Sequence, residues 1–211
     1  MSTRSMMPRF HDLIARPIFH SRRLNQRGII RAFCGAGMAL KSTIFKADLQ
    51  VADLDRGHFA DYALTLARHP SETDERMMVR LLAFAIYAGQ DLSFGKGIST
   101  DEEPALWEVD PAGVIKLWVE VGLPDETRIR KACHKAERAV VLTYGGRAVD
   151  MWWKQNADAL KRFENLEIWQ LSVEEGEALA SLAERKMKLS CTLQEGTIYL
   201  ETIEIRPGRL Q

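Results

Sequence analysis

The stretch ALWEV-DPAG-VIKLWVEV, residues 105–121, decides the reading of the fold. Its outer segments alternate apolar and polar residues, the period of a strand with two different faces. Asp110-Pro111-Ala112-Gly113 between them has tight-turn chemistry, so the two strands form a hairpin. On 114–121, Ile115, Leu117, Val119 and Val121 are expected on one face, with Lys116, Trp118 and Glu120 on the other. A turn centred near Ala112 makes opposing residue numbers sum to about 224 by antiparallel pairing. That register brings Glu103 and Glu120 to the same end of the hairpin, with Asp101 just beyond.

Working outward, residues 41–52 (KSTIFKADLQVA) alternate as a strand. Residues 55–68 show helical spacing at Phe59, Tyr62, Ala63 and Leu66, ended by Pro70. Ser71 is the expected N-cap of a second helix, with Glu72, Asp74 and Glu75 loading its first turn. That helix runs to Gly89 and is apolar on almost every side, so it is expected to be central and buried. LSF at 92–94 is a short strand. After the hairpin, helices are expected at 125–137, 148–163 and 173–185, with strands at 139–144 and 166–171 between them. The end, 187–205, is a hairpin closed by Glu195-Gly196. The order predicts an α/β protein with a central mixed β-sheet flanked by helices and a C-terminal β-hairpin.

The chain has 211 residues with 46% hydrophobic and 27% charged residues, ordinary for one globular domain. No apolar run approaches the roughly 18 residues of a membrane-spanning helix. Three cysteines, at 34, 133 and 191, lack metal-ligand spacing, and a reducing cytoplasmic setting is expected. The net charge of zero hides an asymmetry. Residues 1–37 carry seven arginines against Asp12 alone, whereas 38–211 carry 22 basic and 28 acidic residues. An acidic body argues against a surface coated with phosphate-binding groups, though not against a local basic groove. Residues 1–37 are read as a basic extension, disordered or preceding the true start at Met38; a targeting peptide and a nucleic-acid arm are the other readings.

Carboxylates converging at the hairpin end have the chemistry to hold a hard divalent cation, Mg²⁺ or Mn²⁺. Glu103, Glu120 and Asp101 are the candidate ligands. Lys131 and Arg130, on the following helix, are placed to supply positive charge to phosphoryl chemistry. Glu75 is a further candidate, its plainer role being to complement the helix dipole. Asp110 is read as a turn residue, and Lys116, about 13 Å along the strand from Glu120, as too distant to share its metal. Trp107 and Trp118 face each other across the hairpin; they either stack bases or pack across the strands, the commoner use. Arg128 and Arg130 are candidate substrate contacts. His58, His69 and His134 show no ligand spacing, and Cys133 reads as a small buried hydrophobe. There is no phosphate-binding loop, dinucleotide-binding glycine motif or serine elbow.

The blocks HPSETDERMMVRLLAFA (69–85), ISTDEEPALWEVD (98–110), IKLWVEVGLPDETRIRKAC (115–133) and MWWKQN (151–156) resemble the YaeQ family of small bacterial proteins. The resemblance spans essentially all of 38–211 as one domain. It implies a variant of the PD-(D/E)XK nuclease fold, in which acids on a hairpin and a lysine serve metal-assisted hydrolysis. By that implication Glu103 and Glu120 hold metal, Glu75 is the helix glutamate, and Lys131 replaces the motif lysine. The motif itself is altered: Pro104-Ala105 stands for its Pro-Asp, and Glu120-Val121-Gly122 lacks its lysine. Two functional readings follow. One is a Mg²⁺- or Mn²⁺-dependent nuclease-like hydrolase acting on nucleic acid. The other is a non-catalytic protein that keeps the nuclease-like fold as a binding scaffold for an unidentified protein partner.

Overall fold

The computed structural model describes residues 42–95 and 103–211; residues 1–37 and Asp101 lie outside them. The hairpin forms as read. Strands β4 (Leu106–Val109) and β5 (Ile115–Val121) pair antiparallel, Leu106 with Val119, Trp107 with Trp118 and Glu108 with Leu117. The register then slips, with Val109 opposite Ile115 and Lys116 bulged out. The bulge breaks the expected alternation. Leu117, Val119 and Val121 share one face, but Ile115 packs with Trp118 on the other. Asp110 is a turn residue: its Oδ1 accepts from the backbone N–H of Ala112 and Val114, each at 2.9 Å.

Two sheets, not one central sheet, are built around this hairpin. The first holds β1 (Thr43–Asp53), β2 (His58–Arg68), β8 (Lys186–Gln194), β9 (Thr197–Leu200) and β10 (Ile203–Ile205), in the order β10-β9-β8-β1-β2. The second holds β3 (Leu92–Phe94), β4, β5, β6 (Ala136–Thr143), β7 (Leu166–Gln170) and β11 (Gly208–Arg209), in the order β11-β7-β6-β5-β4-β3. Both are mixed: β1 runs parallel to β8, and β5, β6 and β7 are mutually parallel. The C-terminal hairpin is real, but parallel pairing of β8 with β1 closes the first sheet.

The segment read as a helix over 55–68 is instead strand β2, and this is the largest correction. Its apolar spacing fits both periods, and pairing decides. Gly57, at φ +64°, turns the chain after Asp53, and β2 then pairs with β1 without a slip from Asp53–His58 to Thr43–Arg68. Helix α1 (Asp74–Tyr87) starts two residues later than expected. Thr73, not Ser71, is its N-cap and accepts from the Arg76 N–H.

Every residue of α1 from Met77 to Tyr87 is buried. Helix α1 lies between the sheets, with the inner face of the first sheet and the Leu117–Val119–Val121 face of the second in one core. Leu179 of α4 (Val173–Ser181) joins that core. The opposite face of the second sheet packs Trp118, Ala139, Val141 and Ile168 against α2 (Glu126–Lys135) and α3 (Arg147–Leu160). Among the described residues, nothing packs on the outer face of the first sheet, whose side chains are mostly exposed. Arg56 donates to Ile86 O in the last turn of α1, which places a cation on the negative end of its dipole.

Candidate functional site

Glu120 is the penultimate residue of β5 and is only 2% exposed. A buried carboxylate needs partners, and it has two. Its Oε1 accepts from Trp118 Nε1 and from Arg128 Nε, both at 2.8 Å. Arg128 lies in the first turn of α2, where Asp125 is the N-cap and accepts the Arg128 N–H at 2.7 Å. The second arm of the guanidinium donates from Nη2 to the main-chain O of Glu103 at 2.9 Å. One arginine thus ties the entry of the hairpin, the end of β5 and the start of α2. Burial pushes the Glu120 carboxyl above its ordinary range, opposed by Arg128, the Trp118 N–H and, more distantly, Arg76.

Trp118 is 1% exposed and meets Trp107 edge to face, with ring centroids 6.2 Å apart. Trp118 therefore has no open face in this structure, while Trp107 is half-buried.

The first turn of α1 meets the same end of the second sheet from its other face. Tyr144, just past β6, is hydrogen-bonded to Thr73 and lies in the field of Arg76, Glu75 and Glu72; burial raises its hydroxyl above the ordinary range. Its ring faces Gly122, whose φ of +99° turns the chain out of β5. Glu75 points to α4, not to the hairpin: a Cβ on Gly176 would collide with Glu75 Oε1. Burial first, then Glu177, raises the Glu75 carboxyl. Beneath it Glu72 accepts from Arg76 Nη1 at 2.7 Å and takes both Nε and Nη2 of buried Arg80, at 2.8 and 2.9 Å.

Glu120, Arg128, Trp118, Trp107 and the backbone of Glu103 thus form one assembly. Glu75 belongs to a second group on the opposite face of the sheet. Lys131 is half-buried and Arg130 exposed, both on α2. Asp101 lies outside the described residues, among which no group of three His, Cys, Asp or Glu side chains is placed to hold a metal. Of the candidate ligands described, Glu120 has its Oε1 engaged by Trp118 and Arg128. Burial pushes the Cys133 thiol up to about 11.

Sequence reading missed Tyr144, Arg76 and the Glu72–Arg80 pair as parts of this region. The pair left a signal: Arg80 is the one charge in the run MMVRLLAFAIYA, and a buried arginine requires a carboxylate.

A sequence model of the YaeQ protein family matches residues 38–206. The chain belongs to the YaeQ family. It is 50% identical over 163 residues to the uncharacterized protein YaeQ of Escherichia coli (strain K12), covering 77% of this chain and 90% of that protein. The Salmonella typhi relative, also uncharacterized, is 49% identical over the same length and shares. The crystal structure of the YaeQ protein from Xanthomonas axonopodis pv. citri superposes with a TM-score of 0.77 at 45% identity, covering 81% of this chain and 98% of that one. The YaeQ structure from Pseudomonas syringae gives the same TM-score at 37% identity, covering 81% of this chain and 96% of its own. The YaeQ architecture seen here is a mixed α/β fold with two mixed sheets, and among the described residues no helix is long and apolar enough to cross a membrane.

Proposed function

We propose that this YaeQ-family chain is a non-catalytic nucleic-acid-binding protein of the cytoplasm, built on a nuclease-like scaffold. The observation that carries this reading is the Arg128–Glu120 pair. A metal-dependent hydrolase needs the strand-end carboxylate free for its cation, whereas here Arg128 bonds Glu120 and the Glu103 carbonyl together. Helix α2 supports the ligand class. ETRIRKACHK sets Arg128, Arg130, Lys131 and Lys135 against Glu126 alone, a local basic element on an acidic body. Arg130 and Lys135 are exposed. Phosphates meeting this helix would be held electrostatically, with a salt dependence set by the number of contacts.

Fluorescence anisotropy of the full chain with labelled single- and double-stranded DNA and RNA, in chelator and in Mn²⁺, tests this reading. The expected result is binding that survives chelation, weakens with salt, weakens several-fold in Arg130→Glu, and leaves the oligonucleotide intact. An absence of binding to every oligonucleotide would reject nucleic acid as the ligand and turn the search to a protein partner.

A second reading has its own support. Burial holds the Glu120 and Glu75 carboxyls above their ordinary range, and a divalent cation would relieve such desolvated acids. In that reading Glu103, Glu120 and Asp101 would ligate Mg²⁺ or Mn²⁺ once Arg128 swings away. The cation would supply Lewis-acid activation, and Lys131 would stabilise the charge developing on phosphate. Mn²⁺-dependent cleavage lost in Glu120→Ala would establish it over the first.

A further inference from the structure

The four sheet edges are not alike. Strands β3, β10 and β11 are two or three residues long. Short edges are a common protection against unwanted pairing. The fourth edge, β2, runs eleven residues from His58 to Arg68 and, among the described residues, pairs only with β1. At ~3.4 Å per residue it is about 37 Å long. Its only guards of the usual kind are two charges, Asp61 on the outward face and Arg68 at its end. HFADYALTLAR has no proline and no lysine, its pairing with β1 has no bulge, and Asp61 is its one acidic side chain. Phe59, on its outward face, is 68% exposed, the most exposed of the large apolar side chains described. The inward-facing Tyr62 and Leu64 are only partly covered by the core.

We propose that β2 is a self-association edge: two copies pair their β2 strands antiparallel about a two-fold axis at Ala63, joining two five-stranded sheets into one. The sequence of β2 favours a second copy as the occupant. Placing the axis at Ala63 uses all eleven residues and keeps inward residues opposite inward ones. Asp61 then meets the second copy's Thr65, a hydroxyl it can accept from, and no two acids are opposed. Phe59 meets the second copy's Ala67, a small residue that leaves room for the ring. Tyr62 meets Leu64, which extends the partly covered core across the junction. At each end His58 faces Arg68, where burial and Arg56 hold the imidazole toward its neutral form. The junction satisfies about ten backbone hydrogen bonds. Its area is that of two narrow edges, so the pair is expected to dissociate on dilution.

Sedimentation velocity of the full chain over a wide concentration range tests this proposal, beside Ala63→Lys and Ala63→Cys. The axis sets residue 63 against itself, so Ala63→Lys opposes two like charges at the centre of the junction. The expected result is a reversible wild-type dimer, at least tenfold weaker in Ala63→Lys with its far-UV circular dichroism unchanged. Ala63→Cys, joined by a short bismaleimide that adds one thiol at each end, is expected to give a covalent dimer on a denaturing gel. Wild type and Tyr199→Cys, on β9, are expected not to do so. A wild-type monomer at every concentration would overturn the proposal. So would a dimer indifferent to Ala63→Lys, or one captured no better through residue 63 than through residue 199.

Discussion

Two of the arginine–carboxylate pairs beside the second sheet differ in how each is enclosed. Glu72–Arg80 is sealed. Both side chains are buried, the pairing is two-armed, Arg80 also donates to Ala67 O on β2, and its guanidinium lies 5.9 Å from the Phe94 ring centre. Glu120–Arg128 is sealed on one side only: the carboxylate is buried but the arginine side chain is 22% exposed. The first pair joins α1 to the strands around it, and nothing reaches it without opening the core. The second lies where solvent reaches part of the arginine. Similar chemistry is therefore enclosed to different depths in the two places, and under the proposed function the shallower pair is the one a ligand phosphate would meet.

The comparison breaks most easily at the sealed pair. Arg80→Ala would leave Glu72 buried with Arg76 alone, and the expected loss is about 3–5 kcal/mol of unfolding free energy by urea titration. Replacing both members, as Glu72→Leu with Arg80→Met, is expected to recover much of that loss, because two charges then no longer need desolvating. A loss below about 1 kcal/mol for Arg80→Ala would remove the distinction between the two pairs. Arg128→Ala is the matching variant at the edge. Water can enter where the arginine was, so the expected loss is smaller, about 2 kcal/mol.

The pH dependence sharpens the same contrast. Burial raises the folded-state pKa of Glu120 above its ordinary 4.5. Between the two values the folded chain binds the proton more readily than the unfolded chain. The stability contributed by this group is therefore complete below pH 4.5 and is lost as pH rises through the folded value. Wild type should show its greatest advantage over Glu120→Gln at acid pH, narrowing as pH rises. An advantage that widens with pH would mean that Arg128 outweighs burial. The smallest effect is expected at Gly176→Ala. A helical glycine to alanine change normally gains about 1 kcal/mol, but here the methyl group must displace the Glu75 carboxylate. A net change within about 0.5 kcal/mol in thermal unfolding is expected, with the usual gain missing.

What sequence reading could reach follows the range of the interactions. The β4–β5 hairpin was legible because its alternation and its Asp110-Pro111-Ala112-Gly113 turn are local, and its register came out within a residue of that expected. Helix α1 was legible because Met77–Tyr87 has almost no polar face to leave outside. Strand β2 was not, since Phe59, Tyr62, Ala63 and Leu66 satisfy a helical period while the same segment pairs residue for residue with β1. The division into two sheets depends on β8 finding β1 across more than a hundred residues, which no local pattern encodes. At the site, the register explains why the main chain at Glu103 lies at the Glu120 end of the hairpin, where both are bonded by Arg128. The register does not explain the arginine between them, because Arg128 reaches back from the next helix. Tyr144 stayed hidden for the same reason: it matters through Thr73 and Arg76, which lie far off in sequence.

The central claim is that Arg128 holds Glu120 in a closed pair that serves binding, where a catalytic site would hold a metal. Calorimetric titration of the full chain with Mn²⁺, alone and with an oligonucleotide present, tests it most directly, with Glu120→Ala and Glu103→Ala alongside. The account predicts no metal binding into the millimolar range in either setting, and wild type indistinguishable from both variants. Saturable Mn²⁺ binding by wild type that disappears in Glu120→Ala would contradict it, and would establish a carboxylate metal centre at the end of β5.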